Sequence, residues 1–172
     1  MRFIKSFLFG LTGLFCMATL LSLLIPSRVN VSRTVLINTG KDKVYEQVAN
    51  LKNWKNWNPL FKSDSVKILY AADSSSCDII NNNLKTNLSF ISGDSSVVKF
   101  AFQTEGEPVM PAEICLTPVP MQTGTQVEWK SVVKLKWYPW EKMYGIFVDK
   151  LTGPGYEAAL NGLKNYLEQP PE

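Results

Sequence analysis

The chain has 172 residues, a formal net charge of +3 and no histidine. This length accommodates one domain of ordinary size plus a further segment. Its 18 Lys and Arg residues and 15 Asp and Glu residues are interspersed, so the composition gives no indication of nucleic-acid binding. The lack of histidine excludes Ser-His-Asp and Cys-His catalysis and histidine-based metal sites within this chain.

An apolar run covers residues 7–25, whose sequence FLFGLTGLFCMATLLSLLI holds no charged side chain. A helix rises about 1.5 Å per residue and needs roughly 20 residues to cross the hydrocarbon core of a bilayer. A cleaved signal peptide is the alternative, but its apolar region spans about 7–15 residues and precedes a cleavage site with small residues. The run here ends in LLIPSR, which offers no such site. We therefore predict a tail and transmembrane anchor over residues 1–27 and one domain over residues 28–172.

Charges on the two sides of the apolar run predict its orientation. Arg2, Lys5 and the terminal amine precede the run, whereas the positive charges after it belong to a long domain. Short flanking segments govern orientation, because long domains translocate largely regardless of their charge. The protein is accordingly predicted to cross the membrane once, with a cytoplasmic N-terminus and a C-terminal domain outside the cytoplasm.

The domain begins with a predicted strand and a helical arm. Residues 29–38, VNVSRTVLIN, are rich in β-branched side chains, which favour a strand. Thr39 and Asp42 fit a capping box for the helix that follows. Apolar residues then recur at helical spacing, at Val44, Val48, Leu51, Trp54 and Trp57. Pro59 disfavours helical geometry at Asn58, so we expect the arm to end there with both indoles on one side.

The middle of the chain predicts about five or six antiparallel strands. The candidate segments are residues 65–70, 77–80, 84–91, 96–105, 111–118 and 124–135. The last shows the clearest alternation, with one face formed by Val127, Trp129, Ser131, Val133 and Leu135. Strands with one wet face are typical of antiparallel sheets. Short turns at residues 93–94, 105–106 and 122–124 favour a meander.

The C-terminal part changes to helical periodicity. Residues 138–151 place Trp140, Tyr144, Phe147 and Leu151 on one stripe. Gly153 and Pro154 are predicted to interrupt this helix, because proline suits the first turn of a new one. The second helix, residues 154–169, carries an apolar stripe that requires an apolar sheet to pack against.

Three segments resemble the START-like superfamily, also called SRPBCC, and within it the polyketide cyclase/dehydrase and lipid-transport-like group. They are VSRTVLINTGKDKVYEQVANLKNWKNWNP, GTQVEW and GPGYEAALNGLKNYLE, and the resemblance spans residues 31–168. It implies an α+β helix-grip fold, in which a curved antiparallel sheet surrounds a long C-terminal helix with a hydrophobic cavity between them. A transmembrane helix before such a domain is similar to a recurring variant of the family.

This resemblance gives the leading hypothesis for function, a membrane-anchored domain that binds a hydrophobic small molecule or lipid. The sequence predicts no cofactor, no metal and no catalytic set, and the partners expected are the apolar ligand and the membrane, not nucleic acid. Cavity-lining positions are predicted at Trp54, Trp57, Phe90, Phe100, Phe102, Trp129, Tyr144, Phe147, Leu151 and Tyr156. The same side chains would also suit a core that is packed shut, and the sequence leaves this open.

Two further functions remain open at this stage. An enzyme of the polyketide cyclase or hydrolase type would use carboxylate and tyrosine residues of the same cavity, and Glu113, Glu128 and Glu141 are candidates by residue type alone. A ligand-free interaction module for a membrane partner is the other alternative. Cys77 and Cys115 could pair in an oxidising compartment, although two free thiols are the simpler interpretation.

Overall fold

The computed structural model describes residues 2–82, 84–120 and 123–169. Its helices are α1 (Arg2–Ser22), α2 (Lys41–Ala49), α3 (Trp54–Trp57), α4 (Pro59–Lys62) and α5 (Pro139–Glu168). Its strands are β1 (Arg28–Ile37), β2 (Val66–Tyr70), β3 (Ser76–Asn81), β4 (Leu84–Gly93), β5 (Val97–Thr104), β6 (Met110–Pro118) and β7 (Thr125–Lys134). The turn expected at residues 122–124 begins outside the described residues.

The strands form one antiparallel sheet in the order β1-β7-β6-β5-β4-β3-β2. Strands β2 to β7 follow one another as the expected meander, and β1 pairs with β7 at the far edge. Helices α2 to α4 therefore connect the two edges of the sheet across its inner face. The long helix α5 packs on the same face, mainly along β1. This arrangement is an α+β helix-grip fold and confirms the expected architecture.

Strand β7 has the expected register. Trp129 lies opposite Ile114 of β6 and Arg33 of β1, and its side chain is 2 % exposed. Its neighbours Glu128 and Lys130 are directed to the outer face, where their side chains form an ion pair. Successive strand residues alternate between the two faces, so this register places the apolar positions of β7 inward.

The helical arm differs from the expectation in its cap and in its continuity. Gly40 precedes α2 and no side chain caps the helix, so the predicted Thr39–Asp42 capping box is wrong. The Thr39 hydroxyl instead donates to Leu167 O near the end of α5. The helical arm is also interrupted at Asn50, where the backbone is extended. It is interrupted again at Asn58, as the position of Pro59 predicted.

Helix α5 is continuous through Pro154, so the predicted interruption at Gly153 and Pro154 is wrong. Contacts on both sides of the proline hold the helix in place. Before it, Asp149 accepts hydrogen bonds from the Arg33 guanidinium at 2.9 and 3.0 Å. After it, the Tyr156 ring stacks on Trp129 with a centroid separation of 4.9 Å. Gly153 permits the close approach of Arg33, because a Cβ at this position would overlap the guanidinium.

The first half of α5 buries a different face from the one that its aromatic stripe predicted. The stripe residues are exposed: Trp140 (61 %), Tyr144 (50 %), Phe147 (52 %) and Leu151 (62 %). The buried residues of this half are Pro139, Lys142, Gly145 and Val148. At Gly145 a Cβ would overlap the Leu135 side chain, so the lack of a side chain there lets α5 approach the sheet.

Aromatic side chains fill the space between the sheet and the second half of α5. Trp54 lies at the centre, with ring centroids 5.1 Å from Trp57, 5.1 Å from Phe100 and 5.4 Å from Trp129. Both indoles of the arm also donate to backbone carbonyls of α2, Trp54 to Val48 and Trp57 to Gln47. Pairs of this geometry add stabilisation beyond the burial of apolar area.

The cysteines Cys77 and Cys115 are both free. Cys77 is buried on the inner face of β3, whereas Cys115 of β6 is half-buried and pairs in register with outer-face Glu128. Two further strands, β4 and β5, separate the strands that carry them. A disulfide requires Cα atoms within about 7 Å, which this placement does not provide.

Replacing Trp129 tests the importance of the aromatic core. Trp129→Ala leaves a cavity beneath Tyr156 and Trp54, and we expect the free energy of unfolding to fall by about 3–5 kcal/mol. Trp137→Ala is the matched control, because the Trp137 side chain is 63 % exposed. Denaturant unfolding of the detergent-solubilised chain measures both variants, and equal stabilities would contradict this description of the core.

The ion pair between Arg33 and Asp149 predicts a pH dependence of stability. The hydrogen bonds from Arg33 lower the pKa of the Asp149 carboxyl below its ordinary value. A lowered pKa in the folded state stabilises the fold above the unfolded value, about pH 4, and this stabilisation is lost as the pH falls through the folded value. The difference in unfolding free energy between the parent and Asp149→Asn should therefore shrink as the pH falls below about 4. Arg33→Gln removes the partner of Asp149, so in this background Asp149→Asn should no longer cause a pH-dependent change in unfolding free energy. A difference between the parent and Asp149→Asn that does not vary with pH would contradict the stabilising role of the ion pair.

Candidate ligand groove

A groove of about 650 Å³ lies between the first half of α5, the end of β7 and the connection from β5 to β6. Its lining residues are Gly106, Glu107, Pro108, Val109, Met110, Val133, Lys134, Leu135, Lys136, Trp140, Glu141, Tyr144, Val148 and Thr152. We call this feature the α5 groove. It lies on the inner side of the sheet, the side on which α5 packs.

The α5 groove combines an apolar floor with a charged rim. Met110, Leu135 and Val148 are buried or half-buried and form part of the floor. Lys134 and Lys136 are exposed at the rim, where Glu107 and Glu141 also line the groove. An apolar pocket with a few charged groups at its edge accommodates molecules with an apolar body and a polar end.

Strand register and the turns of α5 position the floor. Met110 begins β6 opposite Phe102 of β5, which places its side chain on the inner face. Leu135 follows β7, and its backbone N–H donates to Ser27 O at 2.9 Å. Gly145 allows α5 to approach Leu135, which brings Val148, one turn later, to the side of the groove.

Lys142 connects this region to the segment that follows α1. The side chain is buried, and its Nζ donates to Ile25 O at 2.9 Å and to Ser27 Oγ at 2.6 Å. Hydrogen bonds from charged groups are stronger than neutral ones and hold their partners more firmly. The groove and the end of α1 are therefore joined through Leu135 and Lys142.

The space deeper in the fold is occupied by side chains. The Tyr156 hydroxyl donates to Ser131 Oγ at 2.9 Å, and burial raises the pKa of this tyrosine. Thr86 pairs with the Thr104 hydroxyl at 3.0 Å. The Trp129 indole N–H is buried and has no hydrogen-bond partner among the described residues.

The predicted cavity positions fall into three groups. Five lie in the packed aromatic core and its edge, at Trp54, Trp57, Phe100, Trp129 and Tyr156. Phe90 and Phe102 are half-buried against that core. Tyr144 lines the α5 groove, whereas Phe147 and Leu151 are exposed on α5 and do not line the groove.

The sequence does not mark the floor of the groove as a site. Val133 and Leu135 were placed on the inward face of their strand by alternation, which is the signal that could have marked them. The sequence does not indicate that Val148 is buried, because the same face of α5 includes Lys142 and Gly145 and does not resemble an apolar helix face. Met110 stands just before the predicted strand at 111–118, and its place in the alternation of Ala112, Ile114 and Leu116 is the signal that could have marked it.

None of the three glutamates considered for catalysis is buried in the way that a catalytic acid or base with a shifted pKa would be. Glu128 lies on the outer face, where hydrogen bonds from Lys130 and Ser32 lower its pKa. Glu113 lines a second groove of about 560 Å³ on the outer face, beside Lys99 and Lys130. Glu141 is half-buried at the rim of the α5 groove. Among the described residues no Asp or Glu is buried, and no group of three His, Cys, Asp or Glu side chains could hold a metal ion.

Comparison with solved structures finds the same fold in other proteins, one of which is described as a START superfamily protein. A START superfamily protein from Mycobacterium smegmatis superimposes with a TM-score of 0.58 at 16 % identity, covering 81 % of this chain and 97 % of that one. The di-domain ARO/CYC protein BexL from the BE-7585A biosynthetic pathway gives a TM-score of 0.61 at 15 % identity, covering 84 % of this chain and 52 % of BexL.

An uncharacterised protein from Bacillus thuringiensis also matches with a TM-score of 0.61 at 11 % identity, over 82 % of this chain and all of that protein. Identities this low establish a common fold and do not transfer a ligand or an activity. A scan against protein-family models and a search of curated proteins gave no match.

Replacing Lys142 tests the link between the groove and the end of α1. Lys142→Met removes the hydrogen bonds to Ile25 O and Ser27 Oγ, so we expect faster hydrogen exchange at the Leu135 amide and in residues 23–30. Lys150→Met, an exposed substitution on the same helix, is the matched control and should leave these amides unchanged. Exchange rates in Lys142→Met equal to those of the parent would show that this contact does not hold the segment.

Proposed function

We propose that the chain is a membrane-anchored START-like domain that binds a hydrophobic small molecule or lipid in the α5 groove. The observation that carries this proposal is the groove itself, an apolar concavity on the inner side of the sheet beside the end of α1. Its volume of about 650 Å³ lies within the range of roughly 300–1,000 Å³ that is usual for small-molecule sites.

The residues around the groove favour an amphiphile over a wholly apolar ligand. Val109, Met110 and Val133 offer apolar surface, whereas Lys134 and Lys136 present ammonium groups at the rim. An acyl chain or ring system would bury its apolar surface on the floor, and an anionic end would remain beside the lysines in water. Burial of apolar surface contributes about 25 cal/mol per Å² before the costs of ordering the ligand are subtracted.

Helix α1 supports the membrane part of the proposal. Residues Phe3–Ser22 have a mean hydropathy of 1.7, and none of the most apolar window is buried against the domain. Core helices and signal sequences can pass the same length and composition test, but a core helix would be buried. In this proposal residues 1–27 form the anchor, residues 28–172 form the domain, and the domain lies outside the cytoplasm.

Proximity of the groove to the anchor would favour exchange of a ligand with the bilayer. The segment after α1 is short, and Ser27 is held by both Leu135 and Lys142. A lipid leaving the membrane would therefore reach Tyr144 and the groove floor with little exposure of its apolar part to water.

A ligand-free interaction module is the second candidate function. It is favoured by the aromatic core, because Trp54, Phe100 and Trp129 occupy the space where a deep cavity would lie. The enzyme alternative has less support, since none of its three candidate carboxylates is buried.

Native mass spectrometry of the full chain, extracted in mild detergent, tests the proposed binding. We expect the parent to carry a co-purifying lipid or other hydrophobic molecule. Val109→Asp places a carboxylate in the groove and should strongly reduce this bound fraction. Leu69→Asp on β2 is the matched control, because Leu69 and Val109 are both 46 % exposed and Leu69 lies outside the groove.

The outcomes separate the two candidate functions. A bound molecule that is lost from Val109→Asp but kept by Leu69→Asp supports binding in the groove. A parent chain without any bound molecule, even after incubation with lipid vesicles, would favour the interaction module. Equal retention in all three proteins would place the ligand elsewhere.

A further inference from the structure

Helix α5 exposes an apolar face that the groove does not explain. The face consists of Trp140, Met143, Tyr144, Phe147 and Leu151, each at least half exposed, and the exposed Trp137 precedes it. These positions recur at spacings of three and four, so they form one continuous stripe along the helix. Helices at the surface of soluble domains direct such a stripe to the core and expose polar residues. We call these six residues the α5 apolar face.

The α5 apolar face cannot be buried by rotation of the helix within this fold. Lys142 and Gly145 hold the opposite side of α5 against the sheet and the segment after α1. Arg33 fixes the next turn through its paired hydrogen bonds to Asp149. An exposed apolar surface of this extent on a fixed helix is typical of an interaction site.

The surroundings of this face are those of a helix at a membrane surface. Tyr138 stacks on Trp140, and the Trp137 ring lies 5.0 Å from Tyr138, so aromatic groups cluster at the start of the helix. Tryptophan and tyrosine are enriched where a bilayer meets water. Lys134, Lys136 and Lys150 are exposed nearby and would face lipid phosphates.

Contact with α1 brings the face close to the candidate membrane span. Helices α1 and α5 touch, and Lys142 binds Ile25 and Ser27 only a few residues after α1 ends. Leu23 and Leu24 lie between the end of α1 and Ile25, and their side chains are 68 % and 82 % exposed. A bilayer that surrounds α1 would therefore end beside the first turns of α5.

We propose that the α5 apolar face lies in the interfacial layer of a lipid bilayer, as a second membrane contact beside α1. The proposal rests on the membrane anchoring given above as part of the proposed function. It adds a fixed orientation for the domain, in which the α5 groove opens at the lipid headgroups. Trp140 and Tyr144 belong both to the face and to the lining of the groove.

Tryptophan fluorescence quenching tests this contact on the full chain. The protein is reconstituted in vesicles of phosphatidylcholine and phosphatidylglycerol, with and without bromine atoms near the upper ends of the acyl chains. Trp137 and Trp140 are exposed, whereas Trp54, Trp57 and Trp129 are at most 2 % exposed. We expect brominated lipid to quench the parent, and most of this quenching to be lost in the Trp137→Phe/Trp140→Phe variant.

A second variant separates docking of the face from tethering by α1. Phe147→Asp/Leu151→Asp keeps all five tryptophans but places two carboxylates on the α5 apolar face, so quenching should fall. Leu69→Asp, a charge on an exposed apolar position of β2, should leave quenching unchanged. Retention of the chain by membranes after carbonate extraction reports on α1 separately.

Each outcome decides the proposal. A chain that resists carbonate extraction but shows no quenching of Trp137 and Trp140 keeps its anchor and overturns the interfacial contact. Quenching in a chain that carbonate extracts from the membrane supports the interfacial contact and overturns the anchor. A chain that shows neither quenching nor resistance to carbonate extraction overturns both. A dimer in native mass spectrometry that dissociates in Phe147→Asp/Leu151→Asp would assign the face to a second copy of the chain instead.

Discussion

The close approach of α5 to the end of β7 determines where the groove lies and which face of α5 remains exposed. Gly145 lets the helix lie against Leu135, and Lys142 joins the same turn to Ile25 and Ser27. Once that side of the helix is fixed inward, Val148 lines a groove and the aromatic residues of the opposite side remain exposed. The groove and the α5 apolar face are thus two consequences of one contact.

The sequence predicted the sheet well because strand periodicity is a local signal. The alternation around Trp129 gave its register directly, since each residue of a strand faces the opposite side from its neighbour. Helix α5 was harder to predict because its buried side contains Lys142 and Gly145, while its exposed side is aromatic. Periodicity identifies an apolar stripe but not what covers it, and here a lysine is buried through hydrogen bonds to a distant segment. The helix interruption predicted at Pro154 is absent for a similar reason. Contacts between Arg33 and Asp149 and between Tyr156 and Trp129 support α5 on both sides of the proline.

The sequence indicated the lining of the groove only in part, for the same physical reason. The aromatic residues chosen from the sequence were large and apolar, which is equally true of a packed core and of a cavity wall. Trp54, Phe100 and Trp129 pack against one another, whereas the groove floor uses the smaller Val133 and Leu135. Which aromatic residues fill space and which border it depends on their three-dimensional packing, which residue type alone does not encode.

Photocrosslinking of a bound lipid shows directly whether a ligand occupies the α5 groove. Membranes that contain the full chain would be incubated with a phospholipid carrying a photoreactive group on its acyl chain, irradiated and analysed by peptide mass spectrometry. Binding in the α5 groove predicts labelling of residues 106–110 and 133–136, in addition to any labelling of α1 and of the α5 apolar face. Labelling confined to α1 and that face, with none in the groove segments, would contradict it.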